Sequence, residues 1–169
     1  MKSSAMAPEA CFTVLIDSRE QAPLTFPASP RSASRSALPT NSCICDGVDL
    51  RDVVAIERKS VSDLLGCVGS QRQRFERELC RLAQLRFRAL VIEATLNEVV
   101  AGTAGRRLTS RQVVGSVLAW TFKYGVEPIF AGDRTNAAVV VATLLHHAAR
   151  YELAARVGCG IAGPAAEVS

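Results

Sequence analysis

The chain has 169 residues, 49% of them apolar, which is enough for one domain with its own core and excludes wholesale disorder. A net charge of +4 is compatible with a nucleic-acid partner but too small to demonstrate one. The longest apolar run, Ala137 to Leu145, falls short of the roughly 18–20 residues of a membrane span, and the N-terminus lacks the apolar stretch of a secretory signal. A cytoplasmic protein with no membrane contact is expected.

Residues 1–11 read as a flexible N-terminus, 12–153 as one domain and 154–169 as a flexible tail. Phe12–Asp17 (FTVLID) is a short β-rich apolar run, a core strand. Residues 21–40 hold four prolines among Ser, Ala and Arg, which predicts a long mobile loop whose Arg31 and Arg35 could reach a phosphate backbone. A plain solvated loop gives the same letters. Ser42–Cys45 and Val53–Lys59 read as two strands flanking a turn at Asp46-Gly47. Ser60 starts a helix, with Asp63 three residues on in a capping relation.

Gln71–Leu85 is a second helix, with Phe75, Leu79 and Leu82 on its apolar face and Arg74, Arg77 and Arg81 together on another. That basic face suits either DNA phosphates or plain solvent. Phe87–Ile92 is a strand, Asn97–Ala101 a helical turn, Ser110–Tyr124 a helix, Val126–Phe130 a short strand and Arg134–Leu153 a long last helix. Strands alternating with helices indicate an α/β domain with a central mixed sheet flanked by helices. The six cysteines form no CxxC pair, and His146 and His147, adjacent on a helix, point about 100° apart, so a structural zinc is not expected.

Of the 20 basic residues only Lys2, Lys59 and Lys123 are lysines. Lys59 ends the run Ile56-Glu57-Arg58-Lys59 at the end of a strand, where alternation puts Glu57 and Lys59 on one face. A carboxylate there can hold Mg²⁺ while the ammonium stabilises charge on a reacting phosphate. A simple ion pair gives the same letters.

The wider pattern narrows the choice. Residues 54–66 (VAIERKSVSDLLG) resemble the ERKxxxD signature of XPF/Hef-type structure-specific endonucleases, Asp17-Ser18-Arg19-Glu20 resembles their first-strand D-x-R-E motif, and Ala89–Glu93 matches the following core strand. The resemblance runs from about residue 12 to 145 and is nearest to compact stand-alone bacterial and phage versions. It implies a restriction-endonuclease-like fold, Mg²⁺ or Mn²⁺, and cleavage of branched, flapped or forked DNA in repair or recombination. By position, Glu57 would be a metal ligand and Lys59 the catalytic lysine. Arg58 would help hold the site, Asp63 would stand behind the ligands, and Asp17 and Glu20 would line the same cleft. Glu93 is a further candidate, alternatively a strand-end charge.

One position departs from the family. Ser42 falls where a Gly-Asp pair normally supplies another metal carboxylate, and a neutral hydroxyl is a poorer Mg²⁺ ligand. Asp46 is the candidate replacement, although Asp46-Gly47 also makes a good turn that would point the carboxylate away. The departure leaves open a DNA-binding subunit that does not cut. The tandem helix-hairpin-helix module of many relatives is not evident, Arg156–Ala162 being one Gly-rich turn. Grip on DNA would come from this domain, from another protein, or from a homodimer or heterodimer formed through helices at 113–122 and 137–148, which serve equally as core helices.

Overall fold

The computed structural model describes residues 12–17, 33–36 and 40–158, with backbone alone for 17 and 33–36. In chain order these form β1 (Phe12–Asp17), β2 (Ala33–Ser36), β3 (Ser42–Cys45), β4 (Val48–Asp49), β5 (Val54–Lys59), α1 (Val61–Val68), α2 (Arg72–Leu82), β6 (Phe87–Ile92), α3 (Leu96–Ala101), α4 (Ser110–Tyr124), β7 (Glu127–Phe130) and α5 (Arg134–Arg156).

The strands make two ladders, β2-β1-β3-β4 and β5-β6-β7, the second all parallel. A single antiparallel bridge joins them into one mixed layer: Asn41 N–H donates to the Ile56 carbonyl at 3.0 Å and Ile56 N–H to the Asn41 carbonyl at 2.8 Å. This is the expected α/β domain with a central mixed sheet between helices.

Alternation along β5 sorts the core. Val54 and Ile56 face α5, with Val14, Ile16, Cys43, Ala89 and Val91 from the other strands and Ala137, Val141 and Leu145 from the helix. Ala55 faces the opposite side, where Leu64 and Leu65 of α1, Phe75 and Leu79 of α2 and Val113, Val117 and Trp120 of α4 pack on Leu90 and Ile92. Helices α1, α3, α4 and α5 start at a side-chain cap, and α2 has none. Thr95 and Thr109 each form a reciprocal capping box, with Glu98 and Gln112, and Asp133 accepts from Asn136 N–H at 2.8 Å.

Three expectations need correction. Residues 33–36, inside the predicted proline-rich loop, form an edge strand parallel to β1, with Val14 opposite Ala33 and Asp17 opposite Ser36. The prolines at 30 and 39 flank that stretch and leave it free to pair. The Asp46-Gly47 turn closes a two-residue hairpin from β3 to the short β4, not to β5. Both turn residues take positive φ (49° and 78°), the conformation such hairpins demand. Finally, α5 continues to Arg156, three residues into the predicted flexible tail.

Candidate active site at the end of β5

Residues 54–57 of β5 are fully buried, and the strand carries its charges out to its C-terminal edge. There the Lys59 ammonium lies 2.7 Å from Glu57 Oε1, both on the face covered by α1 and α2. The Phe75 ring of α2 sits under the ammonium, 5.0 Å from its centroid, a cation–π contact within the helix–sheet seam. Burial is the largest influence on Lys59 and works to lower its pKa. The charge and hydrogen bond of Glu57, with the charges of Cys67 and Glu78, outweigh it and hold Lys59 above the ordinary lysine value. The ion pair thus favours the protonated, charged form of Lys59.

Arg58, between them in sequence, turns to the α5 side and pairs with Glu93 at the end of β6. That ion pair is nearly enclosed, 11% and 12% exposed. Arg58 and Glu93 thus pin the β5 and β6 ends together behind the Glu57–Lys59 face. Asp63, in the first turn of α1, is exposed; its N–H donates to Ser60 Oγ at 3.2 Å while Ser60 Oγ donates to Asp63 Oδ2 at 2.8 Å. Capping accounts for its place in the first turn of α1, where the helix dipole favours its charge, and that charge reaches the Cys67 thiol.

Of the predicted metal candidates, Asp46 is not brought into the group. Asp46 lies in the exposed hairpin turn. The Asn41–Ile56 bridge sets β3 antiparallel to β5, so Asp46 is five residues off in the direction away from Glu57, roughly 15–20 Å along the sheet. The replacement role expected of it is therefore corrected: the turn chemistry won. Ser42 is fully buried, and its hydroxyl donates to the Val54 carbonyl at 2.8 Å, holding β3 to β5.

Asp17 ends β1, and continuing the register in which Leu15 pairs with Ser42 and Asn41 with Ile56 puts its backbone level with Thr40 and Glu57. The side chains of Asp17 and Arg35, and the whole of Glu20 and Arg31, lie outside the described residues. On α2, Arg74 pairs with Glu78 at 3.6 Å and Arg77 donates to the Gln73 carbonyl at 3.3 Å, while Arg81 stays exposed.

Two site neighbours escaped the sequence reading. Glu78, one turn beyond Phe75 on α2, is a largely enclosed carboxylate (16% exposed) that acts on both Lys59 and Cys67. Its place three residues after Phe75 was the available signal. The Cys67 thiol on α1 is pushed up to about 11 by burial, against the lowering pull of Lys59, with Glu57, Glu78 and Asp63 adding to the rise.

Among the described residues no three His, Cys, Asp or Glu side chains converge as a metal cage. Glu57 is a single carboxylate that could serve a hard cation such as Mg²⁺, which keeps several waters and takes one or two carboxylates plus phosphate oxygens.

The architecture is an α/β domain with a charged pair at the C-terminal end of a parallel strand, and its fold is similar to that of solved XPF structures. XPF from Aeropyrum pernix superposes with a TM-score of 0.60 at 20% identity, over 86% of this chain and 69% of that one. The same protein solved in complex with DNA also gives 0.60 at 20% identity, over 82% and 65% of the two chains. In sequence, the chain is 30% identical over 95 residues to the 3′-flap repair endonuclease Xpf of Saccharolobus solfataricus, covering 54% of this chain and 37% of that protein. The chain thus spans little more than a third of that relative's length. No protein-family model matches. No helix among the described residues is long and apolar enough to cross a membrane.

Proposed function

We propose that this chain is a divalent-metal-dependent endodeoxyribonuclease domain that hydrolyses phosphodiester bonds in branched, flapped or forked DNA. The observation that carries the proposal is the Glu57–Lys59 pair at the C-terminal end of β5, inside an ERKxxxD pattern. Mg²⁺ or Mn²⁺, held by Glu57 with Asp17 as the second carboxylate, would supply a Lewis acid and an activated water.

The chain's own groups do the rest. Lys59, protonated and seated on Phe75, offers its ammonium to charge developing on the phosphate. Glu57 keeps that ammonium in place before substrate arrives. The Arg58–Glu93 pair fixes the strand end from behind, and Asp63 holds the start of α1 against it. Partial burial of the pair strengthens each of these interactions relative to open water.

The test is cleavage of labelled flap, fork and duplex DNA with Mg²⁺ or Mn²⁺. The native protein is expected to cut. Lys59→Ala, and the charge-free double variant Glu57→Gln/Lys59→Met, are expected to fold and not to cut. Cutting retained by the folded double variant would sink the site assignment. One observation favours a second reading, a DNA-binding subunit that does not cut: Ser42, at the position of the missing carboxylate, is committed to the Val54 carbonyl. DNA binding without cleavage by native protein would select it. For partners beyond DNA, we propose self-association, or pairing with a related chain, through the outer face of α4.

A further inference from the structure

We infer that the loop between α3 and α4, with the first turn of α4, is a second contact for the phosphate backbone, made by Arg106, Arg107 and Arg111. The inference rests on the DNA-cleavage reading above and adds a surface that the motifs of the active site do not include. Between Glu98 and Glu127 the chain has no acidic residue at all. The side chains of Arg106, Arg107 and Arg111 are exposed and make no hydrogen bond or ion pair among the described residues. This sets them apart from most other arginines of the fold. Arg51, Arg58, Arg72, Arg74, Arg86 and Arg156 all have carboxylate partners.

The loop is held in place by its own backbone. Thr103, Ala104 and Arg106 N–H groups donate to the carbonyls of Val100, Ala101 and Thr103 at 3.2, 3.0 and 3.1 Å, and Thr103 Oγ1 donates to Val100 at 2.7 Å. Gly105 takes the positive φ (68°) that the turn requires. At one end Gly102 lies against Val61, so close that an added β-carbon would come within 2.8 Å of Val61 Cγ1. Val61 is two residues beyond Lys59. At the other end the Leu108 side chain packs beside Gly69, at the end of α1. The loop therefore runs along α1, from the helix start next to Lys59 at Gly102 to the helix end at Leu108, and its arginines flank Leu108 at that far end.

Three unscreened guanidiniums within six residues repel one another, and Arg111 stands in a first helical turn where the dipole disfavours a cation. The Thr109–Gln112 capping box already occupies the end of that helix, so the side chains, not free N–H groups, form the surface. Such an arrangement is stabilised by a polyanion laid along it. Forked planar guanidinium groups suit phosphate oxygens. A duplex arm that reaches Lys59 would continue over this loop.

The experiment is binding of the full chain to a labelled forked duplex in EDTA, by fluorescence anisotropy, from about 50 to 200 mM salt. Arg106→Gln/Arg107→Gln/Arg111→Gln is compared with Arg51→Gln/Arg86→Gln/Arg156→Gln, which removes the same formal charge from arginines that have partners. Native-like circular dichroism establishes that both variants fold. The expected result is a salt slope shallower by about two to three for the loop variant, each lost phosphate contact being worth about 0.9, and a native slope for the control. A native slope in the loop variant, or an equal loss in the control, would overturn the inference while native DNA binding leaves the nuclease reading standing. A native protein that neither binds nor cuts any DNA would overturn both.

Discussion

The Lys59 ammonium and the Glu57 carboxylate, two residues apart on β5 and 2.7 Å from each other, are shut off from solvent together, with 18% and 6% of their side chains exposed. Two ions taken out of water in this way are held by each other, and removing one strands the other. Breaking a buried pair costs about 3–5 kcal/mol, whereas replacing both partners with apolar or neutral groups of like size is close to neutral. Lys59→Met should therefore unfold at clearly lower denaturant, and Glu57→Gln/Lys59→Met should recover most of the loss. Equal stability of the single and double variants in urea titrations would show that the pair is not coupled.

Stability should also fall on the alkaline side, and three groups set the window. Lys59 is held above the ordinary lysine value, so its contribution is full below about 10.4 and is lost as pH rises through the higher native value. The thiols start earlier. Burial, with smaller effects of Cys45 and Asp49, pushes Cys43 up to about 12, and burial pushes Cys67 up to about 11. Unfolded thiols ionise near 8.5, so the native state binds more protons above that pH and loses about 1.4 kcal/mol per pH unit per thiol up to its native value. Cys67→Ala should flatten urea-measured stability against pH between about 8.5 and 11. An unchanged slope would exclude Cys67 as its source.

Most of the fold was legible because its signals are local. Phe12–Asp17, Phe87–Ile92 and Ser110–Tyr124 were read with the bounds the structure has, since apolar periodicity and the Thr109 cap decide them. β2 was not legible: Ala-Ser-Arg-Ser has no apolar pattern, and a backbone ladder to β1 leaves no mark in the letters. Asp46 was misplaced as a ligand for a related reason. Distance along the chain to Glu57 says nothing of strand direction, and the antiparallel bridge at Asn41 carries Asp46 away. Glu57 and Lys59 needed only the two-residue period of a strand, whereas Glu78 reaches them from another helix and left no mark near the motif.

Ser42 offers a test for a metal. Ser42→Ala removes a buried hydrogen bond to Val54 and should cost about 1 kcal/mol, more if the stranded carbonyl finds no other donor. Ser42→Asp puts a carboxylate into the same enclosed place, one strand from Glu57. Without divalent metal it should lower the melting temperature well below that of Ser42→Ala. With Mg²⁺ or Mn²⁺ in excess the melting temperature should rise by more than that of the native protein, because binding to the native state alone adds stability by mass action. Identical responses in the two proteins would place the metal elsewhere.

Finally, the two faces of α4 make unequal demands. Of the two helices expected to pair with a second chain, α5 puts Ala137, Val141 and Leu145 into the core and α4 puts Val113, Val117 and Trp120 there, which leaves the outer face of α4 open. There Leu118 and Phe122, one turn apart, are 50% and 92% exposed. Two such side chains fall far short of the roughly 1,200–2,000 Å² of a stable interface, so self-association through them is expected to be weak and concentration-dependent. Leu118→Ser/Phe122→Ser should abolish it in sedimentation velocity while leaving the urea midpoint near native, since neither side chain fills the core. Association that persists in this variant would move the interface off α4. A large loss of stability would instead mean that Phe122 packs against part of its own chain.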